Sequence, residues 1–303
     1  MSSPRLRIGT RGSALALWQA RFVSERIVER FPHIETEIVV IKTAGDLRQD
    51  VPLAEVAGTG VFVTEIEAAL SAGQVEIAVH SAKDLPPRDA PGLMLAAFCE
   101  RADPRDALVS PRFGTLAELP EGATVATGAA RRQAQLLAVR PDLRFVPIRG
   151  NVDTRLAKLA AGEADALVLA LAGLSRLGKA GVVTEIIEPE VCLPQVGQGC
   201  VAVQCRNDDA EMIALVSESC DNAVTRREVS CERRFLDLLG GGCSAPVAAH
   251  AISSDRFLYL FALVATPDGQ TIWKTRSGST LDNGGGVAEG AYRALVDQGA
   301  NIK

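Results

Sequence analysis

The chain has 303 residues, 47% of them hydrophobic and 23% charged, and a formal net charge of −5. This balance is typical of a soluble globular protein with two or three domains, and the negative charge argues against a nucleic-acid binder that works by bulk electrostatic attraction. No apolar stretch approaches a signal peptide or a membrane span, so we expect a cytoplasmic protein without membrane contact. The seven cysteines contain no C-x-x-C pair and the three histidines lie far apart, so we expect neither a disulfide framework nor a metal site.

The first ninety-odd residues alternate predicted strands and helices. A short apolar run at 6–9 predicts a strand, and Ser13 is placed to cap the next helix, whose apolar residues recur at helical spacing. Further strands are predicted at 38–41 and 75–79, with a helix at 61–70 between them. Such alternation indicates βαβ units and a parallel sheet with helices on its faces.

Two further units follow in the chain. The second begins near residue 103, with predicted strands and helices at 124–126, 130–139, 145–148, 151–161 and 166–170. The third begins near residue 221 with a long amphipathic helix to 239, followed by strands near 258–264 and 271–274 and a helix near 288–296. No internal repeat of solenoid length is present, so these are separate α/β units rather than a repeat array.

Arginines stand at three predicted helix starts, each after a strand and a turn: Arg11 with Ser13, Arg131 with Arg132, and Arg149 with Arg155. A helix N-terminus already carries partial positive charge, so arginines placed there add like charge unless an anion lies between them. The pattern predicts a ligand with several carboxylates or phosphates, bound where the strands end. The alternative is that these side chains point into solvent, which is common for arginine.

Two other stretches are candidates for chemistry. V-H-S-A-K-D-L-P places Lys83 beside Asp84 after an apolar strand, either as an ordinary turn or as one carboxylate set among cations. G-G-G-C-S-A-P sets Cys243 at the end of three glycines, either as an inert loop thiol or as a reactive one. The residues alone leave both alternatives open.

Seven motifs together resemble one family. They occur in order and at family-like spacing: T-R-G-S-x-L-A-L-W-Q-A, V-H-S-A-K-D-L-P, D-P-R-D-A, L-R-G-N-V-D-T-R-L, A-G-L-x-R-L-G, L-P-Q-V-G-Q-G and G-G-C-S-A-P. Over its whole length the chain is similar to the porphobilinogen deaminase (hydroxymethylbilane synthase) family.

The resemblance implies an α/β fold of three domains. The first two resemble the lobes of type II periplasmic binding proteins, with doubly wound mixed sheets, and the third is a small α+β domain. The expected boundaries are 1–99 plus 197–217 for a discontinuous domain 1, 103–194 for domain 2 and 220–303 for domain 3. We expect a monomer.

The resemblance also implies a transferase that joins four porphobilinogen molecules head to tail, with loss of ammonia, into hydroxymethylbilane for tetrapyrrole biosynthesis. Cys243 matches the cysteine that carries a dipyrromethane cofactor through a thioether, and Asp84 matches the catalytic aspartate. Cofactor binding is implied for Ser81, Lys83, Arg131, Arg132, Arg155 and Gln198. Substrate binding is implied for Arg11, Ser13, Arg149 and Arg176.

One departure from the family pattern affects the expected site. Before Arg131 the family usually has T-S-S-L, whereas Gly128 and Ala129 stand here in place of the two serines. Two hydroxyls expected to contact cofactor carboxylates are therefore missing. This leaves as an alternative a non-catalytic, two-lobed binder of polycarboxylates that has kept the fold. A thiol-dependent acyl transferase using Cys243 is a weaker alternative, because no motif places a histidine beside the thiol.

Overall fold

The computed structural model describes residues 5–43, 63–240 and 246–300. Its strands are β1 Leu6–Thr10, β2 Thr36–Val40, β3 Ile77–Ser81, β4 Leu93–Phe98, β5 Asp106–Val109, β6 Thr124–Ala126, β7 Arg144–Val146, β8 Ala166–Ala170, β9 Glu185–Ile187, β10 Val201–Arg206, β11 Val247–Ser253, β12 Phe257–Ala265 and β13 Ile272–Thr280. Its helices are α1 Ala14–Arg30, α2 Thr64–Ser71, α3 Ala130–Val139, α4 Val152–Ala160, α5 Leu171–Arg176, α6 Ala210–Cys220, α7 Ala223–Leu238 and α8 Gly284–Asp297. None of these helices is long and apolar enough to cross a membrane.

The first sheet has the order β2-β1-β3-β10-β4. Strand β1 pairs in parallel with β2 and β3, whereas β10 runs antiparallel to both of its neighbours. Helix α1 covers one face because Ala20, Val23 and Ile27 recur on one side of it and are fully buried. Its N-terminus is capped as predicted, since Ser13 Oγ accepts a hydrogen bond from the backbone N–H of Ala16 at 3.3 Å.

The second sheet repeats this plan with the order β7-β6-β8-β5-β9. Here β5, the first strand after the chain leaves the first sheet, runs antiparallel to β8 and β9. Strand β10 holds the equivalent place in the first sheet, to which the chain returns. The fold class implied by the family resemblance, with doubly wound mixed sheets, is confirmed. The parallel sheet predicted from alternation alone is wrong. Each time the chain passes from one five-stranded sheet to the other, it adds one antiparallel strand to the sheet that it enters.

The third sheet, β11-β12-β13, is antiparallel and packs against α7 and α8. Its core joins Phe235 of α7 with Leu258 and Leu260 of β12 and Leu295 of α8, all fully buried. These elements form the small α+β unit that the resemblance implies. Helix α6 lies beside the first sheet, and α7 follows it directly in the chain. The third unit is therefore anchored next to the first sheet.

The bounds of β3 differ from the prediction, and the difference affects the site. Strand β3 spans Ile77–Ser81 rather than 75–79, so His80 and Ser81 belong to the strand. The turn that follows is a single 3-10 turn at Ala82–Asp84. Lys83 and Asp84 therefore lie directly at the carboxyl end of β3, where ligands bind in open α/β sheets.

Candidate active site between the two five-stranded sheets

The end of β3 and the start of α1 form one wall of a cleft. Asp84 is exposed there and shares the cleft lining with Arg11, Ser13 and Ser81. Gln19 of α1 is buried behind them, and its Nε2 donates to Ser81 Oγ at 2.8 Å. The structure thus brings these four predicted residues together. Gln19 was not predicted, although it lies in the T-R-G-S-x-L-A-L-W-Q-A motif, because its helical position indicated only packing.

Arg131 and Arg132 lie at the start of α3, in the second sheet's unit, and both contact Asp106. Arg131 Nη1 lies 2.6 Å from Asp106 Oδ2, and Arg132 Nη2 lies 2.7 Å from Asp106 Oδ1. All three side chains are buried. The anion between these two arginines is therefore a carboxylate of the chain itself, whereas the sequence pattern predicts a ligand there. The solvent-exposed alternative is wrong for this pair.

Two opposing effects determine the pKa of Asp106 in this cluster. Burial would raise the pKa of Asp106, but the charges of Arg131 and Arg132 and their hydrogen bonds overcome it and hold the pKa well below its usual range. Asp106 consequently stays ionised, and two guanidinium groups share one carboxylate. The three buried side chains of Arg131, Arg132 and Asp106 together therefore carry a net positive charge.

Gln198 connects this cluster to the turn that carries Lys83 and Asp84. Its Nε2 donates to Pro104 O at 2.6 Å and to Asp106 Oδ1 at 2.8 Å. Its Oε1 accepts from Arg131 Nη2 at 3.1 Å and from Lys83 Nζ at 3.5 Å. Since Gln198 is completely buried, its amide is used inside the protein and links residues from both five-stranded sheets.

Lys83 is a cation held in an unfavourable environment. Burial lowers its pKa to about 8; the charge of Asp84 opposes this shift and the charges of Arg132 and Arg131 add to it. Within the described parts of the chain its ammonium group has one hydrogen bond, the long contact to Gln198. It is therefore available to an anionic ligand.

The remaining predicted arginines fall into two groups. Arg155 donates from Nε to Gly150 O at 2.8 Å, and its terminal nitrogens have no partner among residues 5–43, 63–240 and 246–300. Burial lowers the pKa of Arg155, and the charges of Arg132, Asp84 and Arg149 also act on it, which places Arg149 near the same cluster. Arg176 has other partners: its Nη2 donates to Gly199 O at 2.7 Å and its guanidinium lies 5.3 Å from the centre of the Trp18 ring.

The donor set suits the carboxylates of a dipyrromethane. Four cations, Lys83, Arg131, Arg132 and Arg155, face two carboxylates, Asp84 and Asp106. Among the residues that the structure describes, the buried Arg131 Nε also has no hydrogen-bond partner. Surplus positive charge and unused donors favour an anionic group. The predicted attachment residue, Cys243, lies outside the described residues.

The two positions that depart from the family pattern lie at the start of α3. Ala129 occupies the N-cap with extended backbone angles and provides no side-chain cap. A Cβ added at Gly128 would lie 3.1 Å from the backbone oxygen of Ile148. A serine would therefore fit readily at Ala129 but not at Gly128 without local movement.

Asp106 is the principal residue of the site that sequence reasoning missed. It lies in D-P-R-D-A, one of the motifs that carried the family resemblance, but neither the motif nor its spacing shows which cations it meets. The partners, Arg131 and Arg132, are 25 and 26 residues away in the chain. Only the tertiary fold brings the start of α3 and the first residue of β5 together.

Comparison with known proteins identifies the family. Residues 6–214 match the model of the porphobilinogen deaminase dipyromethane cofactor binding domain, and residues 226–284 match that of the porphobilinogen deaminase C-terminal domain. The porphobilinogen deaminase of Trichlorobacter lovleyi is 47% identical over 93% of this chain and 90% of its own length. That of Syntrophotalea carbinolica is 45% identical over 99% of this chain and 95% of its own length. Among solved structures, the periplasmic aliphatic sulphonate binding protein SsuA from Escherichia coli matches 77% of this chain and 70% of its own at 18% identity, with a TM-score of 0.41. On the family models and the curated relatives, the chain belongs to the porphobilinogen deaminase family.

Proposed function

We propose that the cleft between the two five-stranded sheets is the active site of a hydroxymethylbilane synthase. This enzyme joins four porphobilinogen molecules head to tail, with loss of ammonia, into hydroxymethylbilane for tetrapyrrole biosynthesis. The observation that carries the proposal is the position of Asp84, an exposed carboxylate at the end of β3, beside Lys83 and facing the cluster of Arg131, Arg132 and Arg155. Asp84 is thus a single carboxylate for the reacting centre, and the cations around it can bind the carboxylates of the cofactor and the substrate.

Asp84 is the catalytic residue in this proposal. Loss of ammonia from porphobilinogen leaves an electron-poor methylene, and a nearby carboxylate stabilises the positive charge that develops on the pyrrole. The same carboxylate can accept a proton when the new carbon–carbon bond has formed. Its exposure to the cleft supports this role because the group must contact the substrate.

The cofactor is dipyrromethane, bound as a thioether to Cys243. When bound, it supplies the pyrrole from which the chain grows. Lys83 and Arg155 are the direct ligands of its carboxylates, because their nitrogens retain unused donors. Arg131 and Arg132 supply further positive charge from within the cluster, and Ser81 lines the same cleft. Gln198 acts indirectly, since its amide is fully used inside the protein.

The incoming porphobilinogen is held by its two carboxylates. Arg11 and Ser13 lie beside Asp84 at the start of α1, where a substrate carboxylate also meets the N-terminus of a helix. Arg149 completes the set from the second sheet's unit, near Arg155. Arg176 is the remaining substrate ligand, with its guanidinium held by Gly199 and Trp18.

The division into domains belongs to the same proposal: 1–99 with 197–217, 103–194, and 220–303. It is supported by the distribution of strands, since β10 completes the first sheet after the chain returns from the second. We also propose, from the family resemblance, a monomeric enzyme that acts in the cytoplasm.

Intact mass measurement tests the proposed function. The purified, denatured protein should exceed its polypeptide mass by two linked pyrrole units, and Cys243→Ser should lack that excess. Cys231→Ser, a buried cysteine of α7, should retain it. A bare polypeptide that gains no mass on incubation with porphobilinogen would overturn the proposal and favour the non-catalytic polycarboxylate binder.

A further inference from the structure

Asp106 is the most heavily engaged carboxylate of the site. It is the first residue of β5 and is completely buried. Its Oδ1 accepts from Arg132 Nη2 at 2.7 Å, Arg132 Nε at 3.0 Å and Gln198 Nε2 at 2.8 Å. Its Oδ2 accepts from Arg131 Nη1 at 2.6 Å and from Cys192 Sγ at 3.4 Å. Both carboxylate oxygens of Asp106 are therefore engaged by described residues of the protein itself.

The two arginines are held from their other sides as well. Arg131 Nη1 donates to Leu193 O at 3.0 Å, and Arg132 Nη1 donates to Val168 O at 3.0 Å. Both side chains are thus fixed in single orientations before any ligand arrives. Asp106 is the acceptor that they share, so it determines where the two guanidinium planes lie relative to each other.

We infer that Asp106 is a positioning residue for cofactor loading, which fixes Arg131 and Arg132 so that their positive charge is presented in a preorganised arrangement to the carboxylates of the dipyrromethane. This inference rests on the proposed function, because it takes the cluster to face the cofactor. Preorganisation lowers the cost of ordering long side chains when the ligand binds.

An argument from total charge alone predicts the opposite effect of removing Asp106 on cofactor loading, so an experiment can distinguish the two. Asp106 cancels one of the two positive charges on Arg131 and Arg132. If only the total charge mattered, removing the carboxylate would strengthen attraction for an anionic cofactor and speed its loading. If the position of the guanidinium groups matters, removing it slows loading although the cluster becomes more positive.

The experiment compares Asp106→Asn with the wild type and with Asp103→Asn, a partly exposed carboxylate of the same motif that pairs with Arg105. Apo-proteins are prepared from cells that make no porphobilinogen and incubated with porphobilinogen, and the gain in intact mass is followed with time. We expect Asp106→Asn to load about tenfold more slowly and Asp103→Asn to load at the wild-type rate. Equal or faster loading by folded Asp106→Asn would overturn the inference.

A second pair of variants keeps the test decisive if Asp106→Asn does not fold. The single variant Arg132→Gln keeps the Asp106 carboxylate that holds Arg131. The double variant, Asp106→Asn with Arg132→Gln, lacks this carboxylate and has the same net charge of one in the cluster as the wild type. The positioning role predicts that the double variant loads more slowly than Arg132→Gln, and the charge argument predicts the reverse. Circular dichroism checks that both variants are folded.

A pH profile separates positioning of the site from a general effect on stability. Lys83 faces Asp84 beside it and Arg131, Arg132 and Asp106 across the cleft. Removing the negative charge of Asp106 lowers the pKa of Lys83, so part of any slowing near pH 8 comes from Lys83 losing its proton. At about pH 6 Lys83 is charged in both proteins, and a positioning role predicts that Asp106→Asn still loads more slowly there. Equal loading at that pH would contradict the inference. Failure of the wild type to gain mass would instead refute the proposed function.

Discussion

Arg101 and Glu232 form a buried, two-point ion pair between the connection leading into the second sheet and helix α7. Arg101 Nη1 lies 2.6 Å from Glu232 Oε1, and Nη2 lies 3.2 Å from Oε2. Glu232 also accepts from the backbone N–H of Gly197 at 2.7 Å and of Ala251 at 2.8 Å. One carboxylate therefore ties both connections between the five-stranded sheets to the third sheet.

Glu232→Gln should strongly destabilise the protein. The substitution removes the close counter-charge of the buried Arg101 guanidinium and leaves it only the longer contact to Glu228 Oε2 at 4.0 Å, so we expect a loss of about 3 kcal/mol in the free energy of unfolding. Urea unfolding followed by circular dichroism measures it. Glu289→Gln is the matched control, because Glu289 pairs with Arg234 at the surface and should lose at most about 1 kcal/mol. Equal losses in the two variants would contradict this view of the pair.

The same ion pair predicts how stability depends on acid. Burial would raise the pKa of Glu232, but Arg101 and His250 bring it down to about 2. A carboxyl group whose pKa is lower in the folded state stabilises the fold above its unfolded pKa of about 4.3 and loses that contribution as the pH falls towards 2. Wild-type unfolding free energy should therefore decline over this window, and Glu232→Gln should show a flatter decline. Parallel pH curves would contradict it.

Asp84→Ala should abolish turnover without affecting the fold. Asp84 is exposed to the cleft, so its removal leaves no buried group unpaired, while the developing positive charge loses its stabilising carboxylate. We expect hydroxymethylbilane formation to fall at least about 100-fold with an unchanged melting temperature. Asp208→Ala, at an exposed turn, serves as the control and should remain active. Unchanged turnover in Asp84→Ala would refute the catalytic assignment.

Lys83 should give cofactor loading an alkaline limb. Because burial lowers its pKa to about 8, the ammonium group loses its charge as the pH rises through that value, and binding of the cofactor carboxylates weakens. We expect the rate at which apo-protein gains mass on incubation with porphobilinogen to fall between about pH 7 and pH 9. Lys83→Arg keeps the charge throughout this range and should flatten the fall. A fall of the same size in Lys83→Arg would assign the limb to another group.

Ala129→Ser should stabilise the protein and Gly128→Ser should not. A serine at the N-cap of α3 can accept a hydrogen bond from a free backbone N–H of the first turn, which contributes about 1 kcal/mol. At Gly128 the new Cβ would lie 3.1 Å from Ile148 O, so the backbone must shift, at a cost of about 1 kcal/mol or more. Urea unfolding of the two single variants measures both changes. Stabilisation by Gly128→Ser would show that the local packing is looser than the distance indicates.

The sequence predicted local features well where a local cause determines them. Helix α3 begins and ends where its pattern predicts, because Ala130 follows a strand and turn and Pro141 prevents continuation. Strand β8 is likewise as predicted, since its fully apolar run is bounded by turn residues. Strands β4 and β5 and helix α6 were not predicted. Their apolar runs fit more than one structure, and sheet pairing rather than local preference decides between them.

The sequence by itself determined the family, the alternation of strands and helices, and which arginines, lysine and aspartate stand at strand ends. These follow from motif order and from side-chain periodicity along a single segment. Only the tertiary structure decided that Asp106 is the anion between Arg131 and Arg132, that Gln198 links the two sheets, and that β10 completes the first sheet. Ion pairs and antiparallel exchanges join segments far apart in the chain, and their energies depend on burial that no local pattern contains.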